Sequence, residues 1–173
     1  MKCRPTWYCQ SIYELDLDFL KNENVKCILT DLDNTLAPYN IPNPDQKVIE
    51  LVKRIKDAGF NLIIVSNNTG KRVQLFASGL GLDYISGAKK PFTSTIKKGL
   101  NERNIMIEDC VLIGDQIMTD IKCANKMNCK CILTSPLTEK ESFVTFFNRR
   151  LDLYYRKKYN FCKTCKRIDR SGR

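Results

Sequence analysis

Residues 25–36 read Val-Lys-Cys-Ile-Leu-Thr-Asp-Leu-Asp-Asn-Thr-Leu, and the fold is decided within this stretch. Its apolar first half predicts a buried β-strand, with Asp31 and Asp33 following at the carboxyl end. Side chains two residues apart on an extended chain point to the same side, so these carboxylates project together. Open α/β sheets bind ligands at the carboxyl ends of their strands. The stretch therefore predicts a ligand site at Asp31 and Asp33.

Two crowded carboxylates repel each other, and a hard cation would offset their charge. Mg2+ is the simplest candidate, because it takes oxygen ligands and commonly bridges to phosphate. A carboxylate can also act as the nucleophile toward phosphorus. The pair Asp31 and Asp33 therefore indicates phosphoryl chemistry, with Mg2+ as the cofactor.

The composition fits one globular domain. With 173 residues and 43% hydrophobic side chains, the chain is long enough to bury a core. No apolar run approaches the roughly 18 residues that span a bilayer, and the first residues lack the apolar core of a secretory signal. Several of the nine cysteines lie inside apolar runs, which favours reduced, buried thiols. We therefore expect a cytoplasmic protein without a transmembrane segment.

Histidine is absent from the chain. This absence excludes imidazole-based zinc sites, Ser-His-Asp and Cys-His hydrolases, and phosphohistidine mechanisms. A general acid or base must then be a carboxylate, lysine, tyrosine or cysteine.

Strands and helices alternate from residue 25 onward. The periodicity predicts strands over 25–31, 60–66, 84–86, 110–114 and 129–133. It predicts helices over 45–58, 71–79, 93–104 and 119–126. Such alternation is typical of a parallel sheet with right-handed crossovers and helices on both faces. The expected fold class is therefore α/β, with a Rossmann-like three-layer α/β/α parallel sheet.

Three parts of the chain differ in character. We expect an N-terminal extension packed on the core over 1–24, the core itself over 25–148, and a basic C-terminal helix and tail over 149–173. The tail holds ten basic and two acidic residues, a net +8 out of the +10 of the whole chain. Most of the basicity therefore belongs to the tail.

Two later segments offer phosphate ligands. Ser66 and Asn67 end the second predicted strand, and their hydroxyl and amide groups can donate hydrogen bonds to a phosphoryl oxygen. Lys90 precedes Pro91 near the expected start of a helix, where the N-terminus already favours anions. We therefore predict that Ser66, Asn67 and Lys90 bind phosphate.

The segment after the fourth predicted strand offers metal ligands. Gly114 permits a tight turn, and Asp115 and Asp120 follow it. We predict that Mg2+ is held by the side chains of Asp31 and Asp115 and by the backbone carbonyl of Asp33. Asp120 is expected to orient Asp115 or a metal-bound water.

Asp31 and Asp33 have separate predicted roles. Asp31 attacks phosphorus and carries the phosphoryl group as an aspartyl-phosphate. Asp33 donates a proton to the leaving alcohol and then activates water. Hydrolysis is thereby divided into two easier steps.

These four segments resemble the motifs of haloacid dehalogenase superfamily phosphatases, over residues 31–35, 66–68, 90–91 and 114–120. The chain is similar, more narrowly, to the subfamily IIIA branch, which contains bacterial YqeG-type proteins and mitochondrial phosphatidylglycerophosphatases. This resemblance runs over about residues 8–159. It implies a Mg2+-dependent phosphomonoester hydrolase in which Asp31 is the nucleophile and Asp33 is the acid/base. It also implies that Ser66 and Lys90 bind phosphate and that Asp115 and Asp120 lie around Mg2+.

Superfamily members often carry a cap domain between these motifs. Here residues 36–65 and 69–89 are each filled by one helix–strand unit, so we expect no cap. An open site suits a substrate that is large or embedded in a surface. The resemblance implies a lipid phosphate such as phosphatidylglycerophosphate, while a phosphoprotein or a nucleic-acid end stays open.

Apolar residues recur at helical spacing in the tail, at Phe143, Phe147, Leu151 and Tyr154. This pattern favours a last helix packed on the sheet. Peripheral contact of the basic tail with an anionic membrane is the alternative, and nucleic-acid binding is less favoured. Cys162 and Cys165 lack a second ligand pair at zinc spacing, so a frayed end is expected there.

A non-catalytic function is the competing hypothesis. A receiver-like or RNA-associated binding module would retain the acidic pocket and use the basic tail for contact. Such a module has no need for a second carboxylate at Asp33. It also predicts no release of phosphate from any phosphomonoester.

Overall fold

A parallel sheet forms the centre of the protein, whose computed structural model describes residues 3–138 and 146–170. Its strands are β1 Trp7–Cys9, β2 Cys27–Thr30, β3 Asn61–Val65, β4 Asp83–Ile85, β5 Cys110–Gly114, β6 Lys130–Thr134 and β7 Lys166–Arg167. They lie in the order β4-β3-β2-β5-β6-β1-β7, and every neighbouring pair is parallel. The predicted α/β class with a Rossmann-like parallel sheet is therefore confirmed.

Helices cover both faces of the sheet. Their bounds are α1 Leu17–Asn22, α2 Gln46–Asp57, α3 Lys71–Leu80, α4 Ser94–Asn101, α5 Lys122–Met127, α6 Phe146–Tyr159 and α7 Phe161–Thr164. On β2, Ile28 joins a buried cluster with side chains of α2 and α3, whereas Leu29 joins a second cluster with side chains of α4 and α5. Because both faces are buried, β2 reads as a continuous apolar run.

Only α2 lies between β2 and β3, and only α3 and β4 lie between β3 and Lys90. The prediction that no cap domain is inserted at these points is confirmed. Among the described residues, no helix combines the length and the apolar composition needed to span a bilayer.

The residues before α4 and the helix after β5 differ from the predictions. Lys89 adopts a positive φ of 53°, which a helix cannot include, so the chain turns again before α4 begins at Ser94. Lys90 therefore lies in a turn and not at the helix N-terminus. The predicted helix over 119–126 is divided into a π-helical turn, Ile117–Ile121, and α5.

Both ends of the described chain join the sheet. β1 lies between β6 and β7, so a segment predicted to be an extension packed on the core and a segment predicted to be frayed form the last two strands of the sheet. The backbone N–H of Ile168 donates to Tyr8 O at 3.0 Å, and Ile168 and Cys165 are buried. The prediction of a frayed end was wrong, because strands of two and three residues are too short to show periodicity.

The inward face of α6 also differs from the prediction. Leu151 and Tyr154 are 47% and 56% exposed, whereas Asp152 is fully buried. Phe143 and the side chain of Phe147 lie outside the described part of the chain. The expected apolar face was wrong at Leu151 and Tyr154, because the helix packs through polar contacts described below.

Candidate active site

The centre of the sheet brings the predicted segments together. Thr30, the last residue of β2, is level with Ile113 of β5 and with Ile64 of β3. The backbone N–H of Asp31 continues this pairing by donating to Ile113 O at 2.8 Å. The segments that follow these three strands therefore meet at one edge of the sheet, as expected for a doubly wound fold.

Three carboxylates meet there, and we call Asp31, Asp115 and Asp120 the acidic cluster. One oxygen from each lies within 4.8 Å of the others, and all three side chains are buried. Thr35 Oγ1 donates to Asp115 Oδ1 at 3.4 Å. Oxygen donors grouped in this way fit a hard divalent cation.

Gly114 allows Asp120 to reach the acidic cluster. A Cβ atom at position 114 would overlap the carboxyl group of Asp120. The backbone N–H of Gln116 donates to Asp120 Oδ2 at 3.1 Å and so fixes the carboxylate over the glycine. Asp120 is thereby placed in the same group of oxygens as Asp31 and Asp115, although the sequence predicted only an orienting role for it.

Lys90 is buried among these carboxylates. Its Nζ lies 2.6 Å from Asp31 Oδ1 and 2.7 Å from Asp120 Oδ1, and it donates to Val65 O at 2.8 Å. Burial alone would lower the pKa of Lys90, but Asp120 and Asp31 raise it above its ordinary value. Lys90 is therefore a fixed positive charge beside Asp31.

The carboxylates of the acidic cluster repel one another in a buried place. Burial raises the pKa of Asp31 well above its usual range, and Asp120 and Asp115 add to this effect, while Lys90 opposes it. A divalent cation bound to the oxygens of the cluster would offset the repulsion and lower the pKa of Asp31 again.

Ser66 and Asn67 follow β3 beside Lys90. Ser66 Oγ accepts the backbone N–H of Asn68 at 3.1 Å, which leaves its own proton to donate. Asn67 Oδ1 accepts the backbone N–H of Lys90 at 2.6 Å, and its Nδ2 donates to Lys90 O at 3.1 Å. The Asn67 side chain thus binds the backbone of Lys90. The sequence analysis predicted that Asn67 binds phosphate and did not suggest this contact.

Asp33 lies outside the acidic cluster, and its side chain contacts Arg72 of α3. Nε and Nη2 of Arg72 donate to Asp33 Oδ1 at 3.1 and 3.0 Å. The same guanidinium donates to the carbonyl oxygens of Pro38 and Ile41. The sequence analysis missed Arg72; the available signal was a cation in the first turn of a helix, where the helix dipole disfavours it.

Asp152 and Arg156 of α6 were also missed. Asp152 accepts backbone N–H groups of the π-helical turn after β5, and burial raises the pKa of Asp152 to about 7. Arg156 donates to the carbonyl oxygens of Asp115 and Thr134. The signal was an acid, one of two, within a strongly basic tail.

Residues 10–134 match the family model described as haloacid dehalogenase-like hydrolase. The chain belongs to this family. The haloacid dehalogenase-like fold fits the open parallel sheet and the carboxylates that follow β2 and β5. The resemblance inferred from the sequence motifs is confirmed.

Two proteins are similar in sequence to this haloacid dehalogenase-like chain. It is 37% identical over 148 residues to the probable phosphatase YqeG of Bacillus subtilis, covering 86% of each chain. It is 26% identical to phosphatidylglycerophosphate phosphatase 1, chloroplastic/mitochondrial, of Arabidopsis thaliana, covering 91% of this chain and 48% of that protein.

A solved structure shares the fold. The cobalt-bound deoxy-D-mannose-octulosonate 8-phosphate phosphatase of Haemophilus influenzae superposes with a TM-score of 0.52 at 18% identity, covering 66% of this chain and 70% of that one. Family membership and the phosphatase relatives confirm the predicted enzyme class, a phosphoric monoester hydrolase. Phosphatases of this family use a divalent metal, and the acidic cluster has oxygen donors for one. The roles assigned to individual residues remain predictions.

Proposed function

We propose that this chain is a Mg2+-dependent phosphomonoesterase that forms an aspartyl-phosphate on Asp31. The observation that supports this most is the buried Asp31 carboxylate beside Lys90 and two further carboxylates. Such a group has a fixed cation beside it and shares with its neighbours the oxygen donors for a divalent cation. That environment suits attack on a phosphate dianion, because both positive charges offset the repulsion between the reacting anions.

Asp31 and Asp33 perform the first step. A carboxylate oxygen of Asp31 attacks phosphorus, and the bond between phosphorus and the alcohol oxygen breaks. Both hydrogen bonds that Arg72 donates to Asp33 go to Oδ1. This leaves Asp33 Oδ2 to carry the proton for the departing oxygen. The leaving group departs as a neutral alcohol.

The second step reverses the role of Asp33. Its carboxylate takes a proton from water, the water oxygen attacks phosphorus, and the bond to Asp31 breaks to release phosphate. Ser66 and Lys90 hold the oxygens of the transferring group throughout, each contact worth about 2.7 to 4 kcal/mol if it resembles other preorganised donors.

The oxygens of Asp31, Asp115 and Asp120 would hold Mg2+, with the backbone carbonyl of Asp33 as a further ligand. When bound, it supplies positive charge that neutralises the phosphate and orients it toward Asp31. Asp115 and Asp120 therefore act by holding the cation, with Asp120 contributing either directly or through a water.

The direct test measures phosphate release from p-nitrophenyl phosphate. We expect activity with Mg2+, its loss on adding EDTA, and its return with excess Mg2+. The variant Glu108→Gln changes an exposed carboxylate before β5 and serves as a control that keeps full activity. Activity that EDTA leaves unchanged would contradict the metal requirement, and no release under any condition would favour the binding module.

We further propose a lipid phosphate as the substrate class, with the enzyme working in the cytoplasm at a membrane surface. The Arabidopsis relative is named for phosphatidylglycerophosphate, and the site of this chain has no cap domain to enclose a small substrate. The outward face of α6 combines exposed Leu153 and Tyr154 with Lys157 and Lys158. Basic residues near an anionic surface each contribute about 1 kcal/mol to binding.

A panel of monoesters tests the substrate class. We expect a higher kcat/KM for phosphatidylglycerophosphate in vesicles than for sugar or nucleotide phosphates. Co-sedimentation with phosphatidylglycerol vesicles, but not with phosphatidylcholine vesicles, is expected to weaken in the double variant Lys157→Glu, Lys158→Glu. A preference for soluble monoesters would replace this substrate class and leave the phosphatase function in place.

A further inference from the structure

The π-helical turn Ile117–Ile121 carries Asp120 but has no cap of its own. Gln116 precedes the turn, and its side chain makes no capping hydrogen bond. The first backbone N–H groups of a helical turn have no partner within that turn. Ile117 is fully buried, so water does not supply a partner for its N–H group. Another part of the chain has to accept these hydrogen bonds.

Asp152 of α6 accepts them. Its Oδ2 accepts the N–H of Ile117 and its Oδ1 accepts the N–H of Met118, both at 3.1 Å. The side chain is fully buried, and the partners are 35 and 34 residues away in the sequence. A buried carboxylate is costly unless it is hydrogen-bonded, and here both oxygens have backbone partners.

Arg156, one helical turn after Asp152, fixes the start of the same loop. Its Nη2 donates to the carbonyl oxygens of Asp115 and Thr134. Asp152 and Arg156 thus both bind the backbone of residues 115–118. This backbone leads from Asp115 to Asp120, the two carboxylates of the acidic cluster that follow β5. Helix α6 therefore controls where Asp115 and Asp120 stand relative to Asp31.

We propose that Asp152 is a positioning residue for the divalent metal, assisted by Arg156, and that α6 is thereby a part of the active site. This inference rests on the proposed function. Asp152 does not touch the reacting atoms; it keeps Asp115 and Asp120 at the spacing that binds a cation. Groups that orient metal ligands typically change metal affinity by about 10- to 100-fold when they are removed.

The test measures metal affinity in the absence of turnover. Mn2+ binding to the full chain, followed by electron paramagnetic resonance in the absence of substrate, is expected to weaken about tenfold in Asp152→Ala. Asp152→Asn retains one acceptor oxygen and is expected to lie between Asp152→Ala and the unchanged protein. The Mg2+ concentration for half-maximal activity should rise in the same order, while KM for p-nitrophenyl phosphate at saturating Mg2+ stays within about twofold.

The control is Leu151→Gln, an exposed change on the same helix, which should leave Mn2+ affinity unaltered. If Asp152→Ala does not fold, Arg156→Gln carries the test, with a loss of Mn2+ affinity again expected. Unchanged Mn2+ affinity in a folded variant of either residue, with only a lower melting temperature, would overturn this inference alone. Full activity of Asp31→Asn would instead overturn the proposed function.

Discussion

Buried carboxylates reach the carboxyl edge of the sheet from two regions, and their partners differ. Asp31 and Asp115 follow the central strands β2 and β5, and in the cluster they form with Asp120, Lys90 is an ion-pair partner of Asp31 and Asp120. Asp152 comes from α6, near the end of the chain, and both of its oxygens accept backbone N–H groups. The difference teaches that burial alone does not identify a reactive acid: the cluster retains capacity for a ligand, whereas Asp152 is committed to the backbone.

The strongest way to break this comparison is Asp31→Asn. The amide cannot attack phosphorus, so we expect kcat to fall by about a thousandfold or more. Folding should be preserved, since the change removes one of several crowded charges. Phosphate release and circular dichroism check the two expectations, and substantial residual turnover would remove Asp31 from the role of nucleophile.

Asp33→Asn sharpens the distinction between acids that bind metal and acids that move protons. Loss of a general acid and base typically costs about 100- to 10,000-fold. Because the second step also needs a base, we expect phosphoenzyme to accumulate on an activated substrate. Rapid-quench trapping of acid-stable protein-bound phosphate measures the phosphoenzyme. If kcat falls and no phosphoenzyme is trapped, Asp33 does not act as the base of the second step.

Arg72→Gln asks whether the ion pair with Asp33 matters for proton transfer. Losing a charge-assisted hydrogen bond of about 1.5 kcal/mol corresponds to about a tenfold lower kcat. The loss should be greater for phenyl phosphate than for p-nitrophenyl phosphate, because the poorer leaving group depends more on the proton from Asp33. Equal losses on both substrates would show a purely structural contact.

The smallest effect concerns the pH dependence of stability. The pKa of Asp152 is raised from 3.8 to about 7 in the folded protein, so the folded state binds this proton more tightly than the unfolded chain. The contribution of Asp152 to the free energy of unfolding therefore falls as the pH rises from 3.8 to about 7. In EDTA, Asp152→Asn should show a shallower fall than the unchanged protein in urea unfolding between pH 4 and pH 7. Parallel curves would contradict the assignment.

The sequence was most informative where a residue directly follows an apolar strand. Asp31, Ser66 and Asp115 each end such a run, so the parallel sheet alone predicted that they meet. Arg72 and Asp152 act on partners 39 and 35 residues away, and no local pattern marks such a contact. Apolar spacing misled at Leu151 and Tyr154, because the described inward contacts of α6 include, beside Tyr155, a carboxylate and a guanidinium, which periodicity analysis assigns to solvent.

The position of β1 has a consequence for synthesis on the ribosome. Its neighbour β7 follows it about 160 residues later in the chain. At ordinary translation rates that delay is on the order of ten seconds. For that interval the nascent chain holds a strand with an unsatisfied edge, a known template for aggregation. Completion of the sheet therefore waits until β7 has left the exit tunnel.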